Sequence, residues 1–254
     1  MIHREKLGGA RRQLLRVADA ERAYLDGNPY RLIHRYDPRA AQYTVRVEVE
    51  RPVPAEISAL AASTLRDAIA ALDALAATLA SPEGSAGSAP HFPIHESLPQ
   101  FAQRSRRSLA AMRDEAQAEI EALQPYHRLG GFQHDPLWLL RELAAESALR
   151  LAPGALRGET ALGINTKRHV DVIGELRASA GPFEHGAIIA SVAARVAGPD
   201  PKLDLYLKPT FEVALARGGP ARGASLLGML GAICDHVERE VFARLEPWVT
   251  TVRD

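Results

Sequence analysis

Apolar residues along the chain fall into two periodicities, and they divide it into helical and extended stretches. Over residues 6–26, Leu7, Leu14, Ala18 and Leu25 recur at helical spacing, with Arg11, Arg12, Arg16, Asp19 and Arg22 on other faces. Gly27 is a natural stop, and Asn28 before Pro29 forbids continuation. Residues 30–36 then read as a strand, 37–40 as a turn set by Pro38, and 42–50 as a second strand. In the second, Tyr43, Val45, Val47 and Val49 alternate with Thr44, Arg46, Glu48 and Glu50, which predicts a half-buried strand with one wet face.

Pro54 opens a helix predicted to reach Leu79, with Ile57, Ala61, Leu65, Ala68, Leu72, Leu75 and Leu79 as its core stripe. Residues 81–90, rich in Ser, Gly, Pro and Ala, read as a flexible loop. A polar helical stretch over 98–123 is expected to break near Arg106. Asp135 caps a helix whose first residue is Pro136 and whose pattern runs to Leu151. From about 156 to 215 the texture is β, with strands near 186–192, 203–208 and 211–215 and a turn at 198–201. A last helix over 223–245 buries Leu226, Leu230, Ile233, Val237, Val241 and Leu245, and the spacing pairs Asp235 with Arg239 and Glu240 with Arg244.

These elements predict an α+β fold: a helical bundle with an N-terminal β-hairpin and an inserted antiparallel sheet at about 156–215, closed by a long C-terminal helix. The expectation is one composite domain over residues 1–254, with the first and last helices packed near each other.

Composition narrows the function classes. The 254 residues carry 31 Lys plus Arg against 31 Asp plus Glu, a formal net charge of zero. That balance argues against a dedicated duplex-DNA binder, whose affinity depends on neutralising phosphates. The single cysteine, Cys234, excludes an internal disulfide and a tetrathiolate zinc site and reads as a buried core residue. The opening MIHREKLGGARRQLL has charges where a signal peptide needs an apolar core, and no apolar run approaches bilayer length. The expectation is a cytoplasmic protein with no membrane association. Scarce lysine, abundant arginine and high alanine content point to a GC-rich bacterial genome.

No phosphate-binding glycine loop and no G-x-S-x-G elbow is present, and nothing implies a cofactor. Three groups of residues remain. His91 and His95, with His127, His134 and Asp135, have metal-ligand chemistry, but Pro93 breaks the helical spacing that would make the first two converge, so no metal is expected. Arg104, Arg106 and Arg107, and separately Lys167, Arg168 and His169, could contact phosphate. Ala224, Gly228 and Ala232 form a small-residue stripe that suits close helix packing or a homodimer interface.

Several segments, in order, resemble an uncharacterised family of hypothetical proteins from actinobacteria and their phages. They are LDGNPY at 25–30, STLRDAIAAL at 63–72, HFPI at 91–94, LQPYH at 123–127, DPLWLLREL at 135–143 and the stretch 211–248. In that family the long core helix looks like N-L-R-S-A-L-D-H-L, similar to the R-x4-6-H signature of HEPN domains, helical bundles that often cleave RNA as dimers. Arginine there steadies a phosphate oxygen and histidine moves a proton, both expected on nearly one helix face. Here Arg66 matches the arginine, but the histidine position is Ala71, the aspartate position Ala70 and the asparagine position Thr64. A second family pattern, S-N-x-D-K-H-R, meets Ser147, Ala148 and Leu149 at its Asp-Lys-His positions.

The resemblance implies a degenerate HEPN-like motif. With it comes the expectation that the segments around Ala71 and Ala148 line one dry seam. The leading expectation is therefore a non-catalytic binding scaffold with an RNA or protein partner, as a homodimer. Arg66, Arg104, Arg106 and Arg107 are its binding candidates. One alternative is an RNase-like enzyme using Arg66 with His127 or His134. Another is a phage or mobile-element accessory protein.

Overall fold

The structure is a computed structural model. It describes residues 1–80, 91–146, 148–155, 161–167, 170–175, 177–178, 182–196, 202–208, 211–216 and 219–249; the loop read at 81–90 and the turn at 198–201 lie outside them. The chain is mixed helix and sheet, with an N-terminal hairpin, an antiparallel sheet and a C-terminal helix. It divides into two compact units: residues 1–18, 58–149 and 227–254 form a helical unit, and 19–57 with 150–226 form a β-rich unit.

Helix α1 (Ile2–Asp26) ends as Asn28 turns left-handed at φ 48°. Helix α2 (Ala55–Leu79) follows the sequence stripe, with Ile57, Ala61, Leu65, Ala68, Leu72 and Leu75 all fully buried. The polar stretch breaks as expected, into α3 (Leu98–Arg104), α4 (Arg106–Leu109) and α5 (Asp114–Ala122). Asp135 caps α6 (Pro136–Ala144), its side chain accepting the Leu137 amide at 2.8 Å. The last helix comprises α7 (Leu226–His236), a π-helical segment (Val237–Phe242) and α8 (Ala243–Leu245).

The predicted stripe of the last helix is buried throughout. The wider π turn adds a residue to the repeat, so the consecutive Val241 and Phe242 are both fully buried. Asp235 meets Arg239 at 4.0 Å, but Arg244 donates instead to Glu119 of α5 at 2.7 Å. The first and last helices do meet. Arg11 bonds Asp235 and Glu238, and His3 Nε2 lies 3.0 Å from Glu246 while its ring stands edge-on to Phe242.

The β-rich unit starts with β1 (Tyr30–Asp37) and β2 (Gln42–Val49), paired from Tyr30↔Val49 to Asp37↔Gln42. Asp37 Oδ1 accepts the amides of Arg39 and Ala40, which locks the turn. The strands β3 (Leu151–Ala155), β4 (Ala161–Lys167), β5 (Val170–Val172), β6 (Arg177–Ala178), β7 (Ile188–Val196), β8 (Lys202–Lys208) and β9 (Phe211–Leu215) follow. The hairpin is not separate from the inserted sheet: β2 pairs with β7, and β5 and β6 pair with β7 in turn. Strand β3 pairs with β9 and β4 with β8, all antiparallel. The core holds Val45, Val47, Phe183, Ile189, Ala190, Val192 and Phe211.

One boundary differs from the sequence expectation. The helix predicted to reach Leu151 stops at Ala144, and the β segment begins at Leu151 rather than near 156. Helix-forming residues continue past Ala144, but strand pairing from Leu151↔Leu215 to Ala155↔Phe211 takes over the backbone. Gly154 permits that pairing, since a Cβ there would stand 2.7 Å from the Ala214 Cβ.

Glu21 is a buried carboxyl in the β-rich unit. Its Oε1 accepts the Val213 amide at 2.8 Å, while Oε2 has no hydrogen-bond partner among the described residues. Burial pushes this carboxyl above the ordinary carboxylate range, opposed by the Val213 bond and reinforced by Glu212. Its contribution to stability is therefore full below the ordinary carboxylate range and is lost as pH rises through the raised value. Glu21→Gln keeps the acceptor for Val213 and removes the titration. Denaturant melts should show the variant gaining on the wild type as pH rises to 8, with the gap smallest near pH 4; an unchanged gap across that range contradicts the assignment.

Candidate functional site

Residues 91–95 adopt neither helix nor strand, yet Phe92, Pro93 and Ile94 are buried. An extended segment inside helices must have its backbone polar groups satisfied by side chains. Asp73 of α2 accepts the Phe92 amide at 2.9 Å. The buried amide of Gln124 accepts the His95 amide and donates to Pro93 O and Ile120 O, each at 2.9 Å. Arg141 of α6 donates to Ile94 O at 2.8 Å and also to Glu96. Glu96 in turn accepts the Trp138 indole N–H at 3.1 Å. That bond, together with Arg141, holds the Glu96 carboxyl below its ordinary range and so ionised.

This strap forms one wall of a cleft of about 350 Å³ in the helical unit. Ile69 and Asp73 of α2 line it on one side; His91, His95, Arg104, Ser105, Ser108 and Arg141 complete it. His91 Nδ1 lies 3.0 Å from Asp73 Oδ2, which orients the ring and leaves Nε2 exposed. His95 Nε2 lies 2.9 Å from Oγ of the buried Ser105. Burial, then the positive charges of Arg141 and Arg104, lowers the His95 pKa, so its imidazole is neutral at pH 7. Arg104 is exposed and makes no ion pair among the described residues.

Of the residues singled out from sequence, Arg104 lines this cleft. Arg66 is exposed on α2, three residues before Ile69 and seven before Asp73, and so on the helix face that borders the cleft. The backbones of Arg106 and Arg107 belong to α4; their side chains, like all of Arg168 and His169, lie outside the described residues. Lys167 ends β4. His127 and His134 are exposed, each closing a short 3-10 turn (Pro125–His127 and Phe132–His134), and neither lines the cleft.

The shared dry seam is not formed as expected. Ala71 and Thr64 are buried, but Ala148 is exposed, and Ser147 lies outside the described residues. Leu149 does meet α2, at Ser58: the Ser58 hydroxyl donates to Leu149 O at 3.2 Å and accepts the Leu149 amide at 3.0 Å. Ala71 lies thirteen residues on, roughly 20 Å along the helix. Nor do Arg66 and position 71 share a face. Five residues turn a helix to about 140° from the start, so Arg66 meets solvent while Ala71 faces the core.

Among the described residues no three His, Cys, Asp or Glu side chains converge as a metal ligand set. Cys234 is buried, and burial pushes its thiol to about 11, so it holds no thiolate at neutral pH. No helix of the described residues is long and apolar enough to cross a membrane. Asp73, Ser105, Gln124 and Arg141, which build the cleft, carry no motif, and sequence reasoning passed over them. Comparison with protein-family models, curated proteins and solved structures gives no match.

Gln124 is the central clasp of the strap. Gln124→Leu leaves three backbone groups without their partners, two of them buried, and should cost about 3 kcal/mol, at 1–3 kcal/mol per buried group offset by relaxation. Chemical denaturation checks this; a loss under about 0.5 kcal/mol, the level of an ordinary surface substitution, contradicts it.

Proposed function

We propose that the helical unit binds the sugar–phosphate backbone of single-stranded RNA at the strap cleft without cleaving it, as a HEPN-like scaffold that keeps the bundle and lacks the arginine–histidine pair. The observation that carries this reading is the division of labour among the cleft's polar groups. Asp73, His95, Glu96 and Arg141 are spent on internal hydrogen bonds. Arg104 and Arg66, at the rim and on the bordering helix face, are exposed without ion pairs among the described residues. Unpaired guanidiniums beside a rigid concavity suit phosphate, whereas a half-buried neutral imidazole already bonded to a serine is poorly placed to move a substrate proton. A homodimer and a cytoplasmic location belong to the same reading. Gly228 and Ala232 of the small-residue stripe are exposed on α7, where a second copy could approach closely.

A second reading, RNA cleavage, has one observation in its favour. His91 is oriented through Nδ1 by Asp73 with Nε2 free, the arrangement of a general acid or base. The histidine supplied from elsewhere would then be His91, in place of His127 or His134.

Purified protein with a fluorescent single-stranded RNA decides between them. Binding is expected to weaken about ten-fold in the Arg66→Ala/Arg104→Ala double variant, with the salt slope falling by roughly 0.7 per arginine. The RNA should stay intact through prolonged incubation. Fragments that vanish in His91→Gln favour cleavage, and unaltered binding in the double variant removes the reading. Light scattering tests the dimer, and a strictly monomeric chain at high micromolar concentration overturns it.

A further inference from the structure

The β-rich unit carries a second concavity, remote in chemistry from the strap cleft. Strand alternation puts Ile33 and Arg35 of β1 and Thr44, Arg46 and Glu48 of β2 on the outward face of the hairpin. The register pairs Ile33 with Arg46 and Arg35 with Thr44. Arg35 and Arg46 are thus diagonal neighbours on one face, their Cβ atoms roughly 7 Å apart. A trough of about 530 Å³ runs over them, and a smaller one of about 340 Å³ adjoins it, with Arg35 and Arg46 lining both.

The Arg31, Glu48 and His185 charges of this face are matched to one another, and Asp37 at its far end is tied to the turn amides of Arg39 and Ala40. Arg31 is neutralised by Glu48 and Glu50, and Glu48 is held ionised chiefly by its hydrogen bond from Arg31. His185 lies 4.0 Å from the same Glu48. Arg35 and Arg46 have no carboxylate partner among the described residues. Arg46 donates one N–H to Gly186 O at 3.1 Å, which fixes the side chain and leaves its other donors unused. The Glu48 carboxylate, already bonded to Arg31, acts on Arg35 only at longer range, so the two guanidiniums keep most of their charge for a ligand.

The apolar surroundings are also built. A register shift at Val45/Arg46 sets Arg46 opposite Ile188, and the extra residue buries Ile189 and Ala190 consecutively. Ile188 is left 38% exposed in the adjoining trough, and Ile33 is half-buried in the larger one.

We propose that this face binds a phosphomonoester. The phosphate bridges Arg35 and Arg46, and the ligand body lies over Ile33 and Ile188. Two guanidiniums complement a dianion through paired charge-assisted hydrogen bonds, and the volume suits a nucleotide-sized molecule. A free metabolite and the 5′-phosphate end of an oligonucleotide share this chemistry.

The test titrates the full-length chain with inorganic phosphate, adenosine 5′-monophosphate, adenosine, and a short RNA with and without a 5′-phosphate. Amide shifts are followed by NMR and affinities by calorimetry. Saturable shifts are expected at Ile33, Arg35, Arg46 and Gly186 with the phosphorylated probes and not with adenosine. Tighter binding of the nucleotide than of the 5′-phosphorylated RNA marks a free metabolite as the ligand, and the reverse order marks an RNA end. Shifts confined to residues 91–105 would report the strap cleft and overturn this proposal while leaving the function above standing. Arg35→Gln, which breaks no side-chain hydrogen bond or ion pair among the described residues, should weaken binding at least about ten-fold, and Arg35→Gln/Arg46→Gln should abolish it. Arg39→Gln, on the turn outside the trough, should leave it unchanged. No saturable shift at millimolar probe, or full affinity in the double variant, overturns the proposal.

Discussion

A buried extended segment has no ladder or helix to satisfy its backbone, so its position is only as firm as the side chains that reach it. In this protein the helical unit meets that constraint at residues 91–96 with Asp73, Gln124 and Arg141, drawn from α2, the turn after α5, and α6. Everything proposed for the cleft depends on those bonds. They place His91 and His95 on one wall, they draw Glu96 onto Arg141, and they leave Arg104 as the cation facing solvent. A strap held by fewer bonds would open the cleft and change which groups are committed.

The commitment of these groups to internal bonds also separates binding from catalysis. Fixed side chains give a preorganised surface, which favours recognition of a ligand whose charge is already present. Turnover needs at least one proton-transfer group with no structural duty. His95 has such a duty towards Ser105, whereas His91 retains a free nitrogen beyond its Asp73 bond. The distinction between the two readings therefore comes down to one imidazole edge, and the resemblance of α2 to an R-x4-H helix does not bear on it, because Arg66 and Ala71 face different ways.

Local periodicity was a good guide wherever one face of an element is buried against the same core along its length. Strand β2, the α2 stripe, the Asp135–Pro136 helix start and the buried row from Leu226 to Leu245 all appear in the sequence because alternation or helical spacing records them directly. What sequence could not convey were outcomes settled at long range. Nothing local reveals that β7 joins the hairpin to β5 and β6, or that pairing with β9 ends α6 at Ala144 despite good helix formers beyond it. The cleft was less legible still. Its histidines were noticed for metal chemistry, yet each is taken by a different partner, Asp73 or Ser105, whose separation in sequence carries no pattern. Arg35 and Arg46, without ion pairs among the described residues, were hidden for the same reason, since a charged residue on a wet strand face looks alike whether or not it forms an ion pair.

Residues 91–96 are clamped by side chains rather than loosely laid across the helices. Native-state amide hydrogen exchange at Phe92 and His95 tests it most directly, because both amides donate to side-chain oxygens and to no backbone carbonyl. Both should exchange as slowly as interior amides of α2, through global opening. Exchange at the rate of an unprotected loop would contradict it, and the cleft with it.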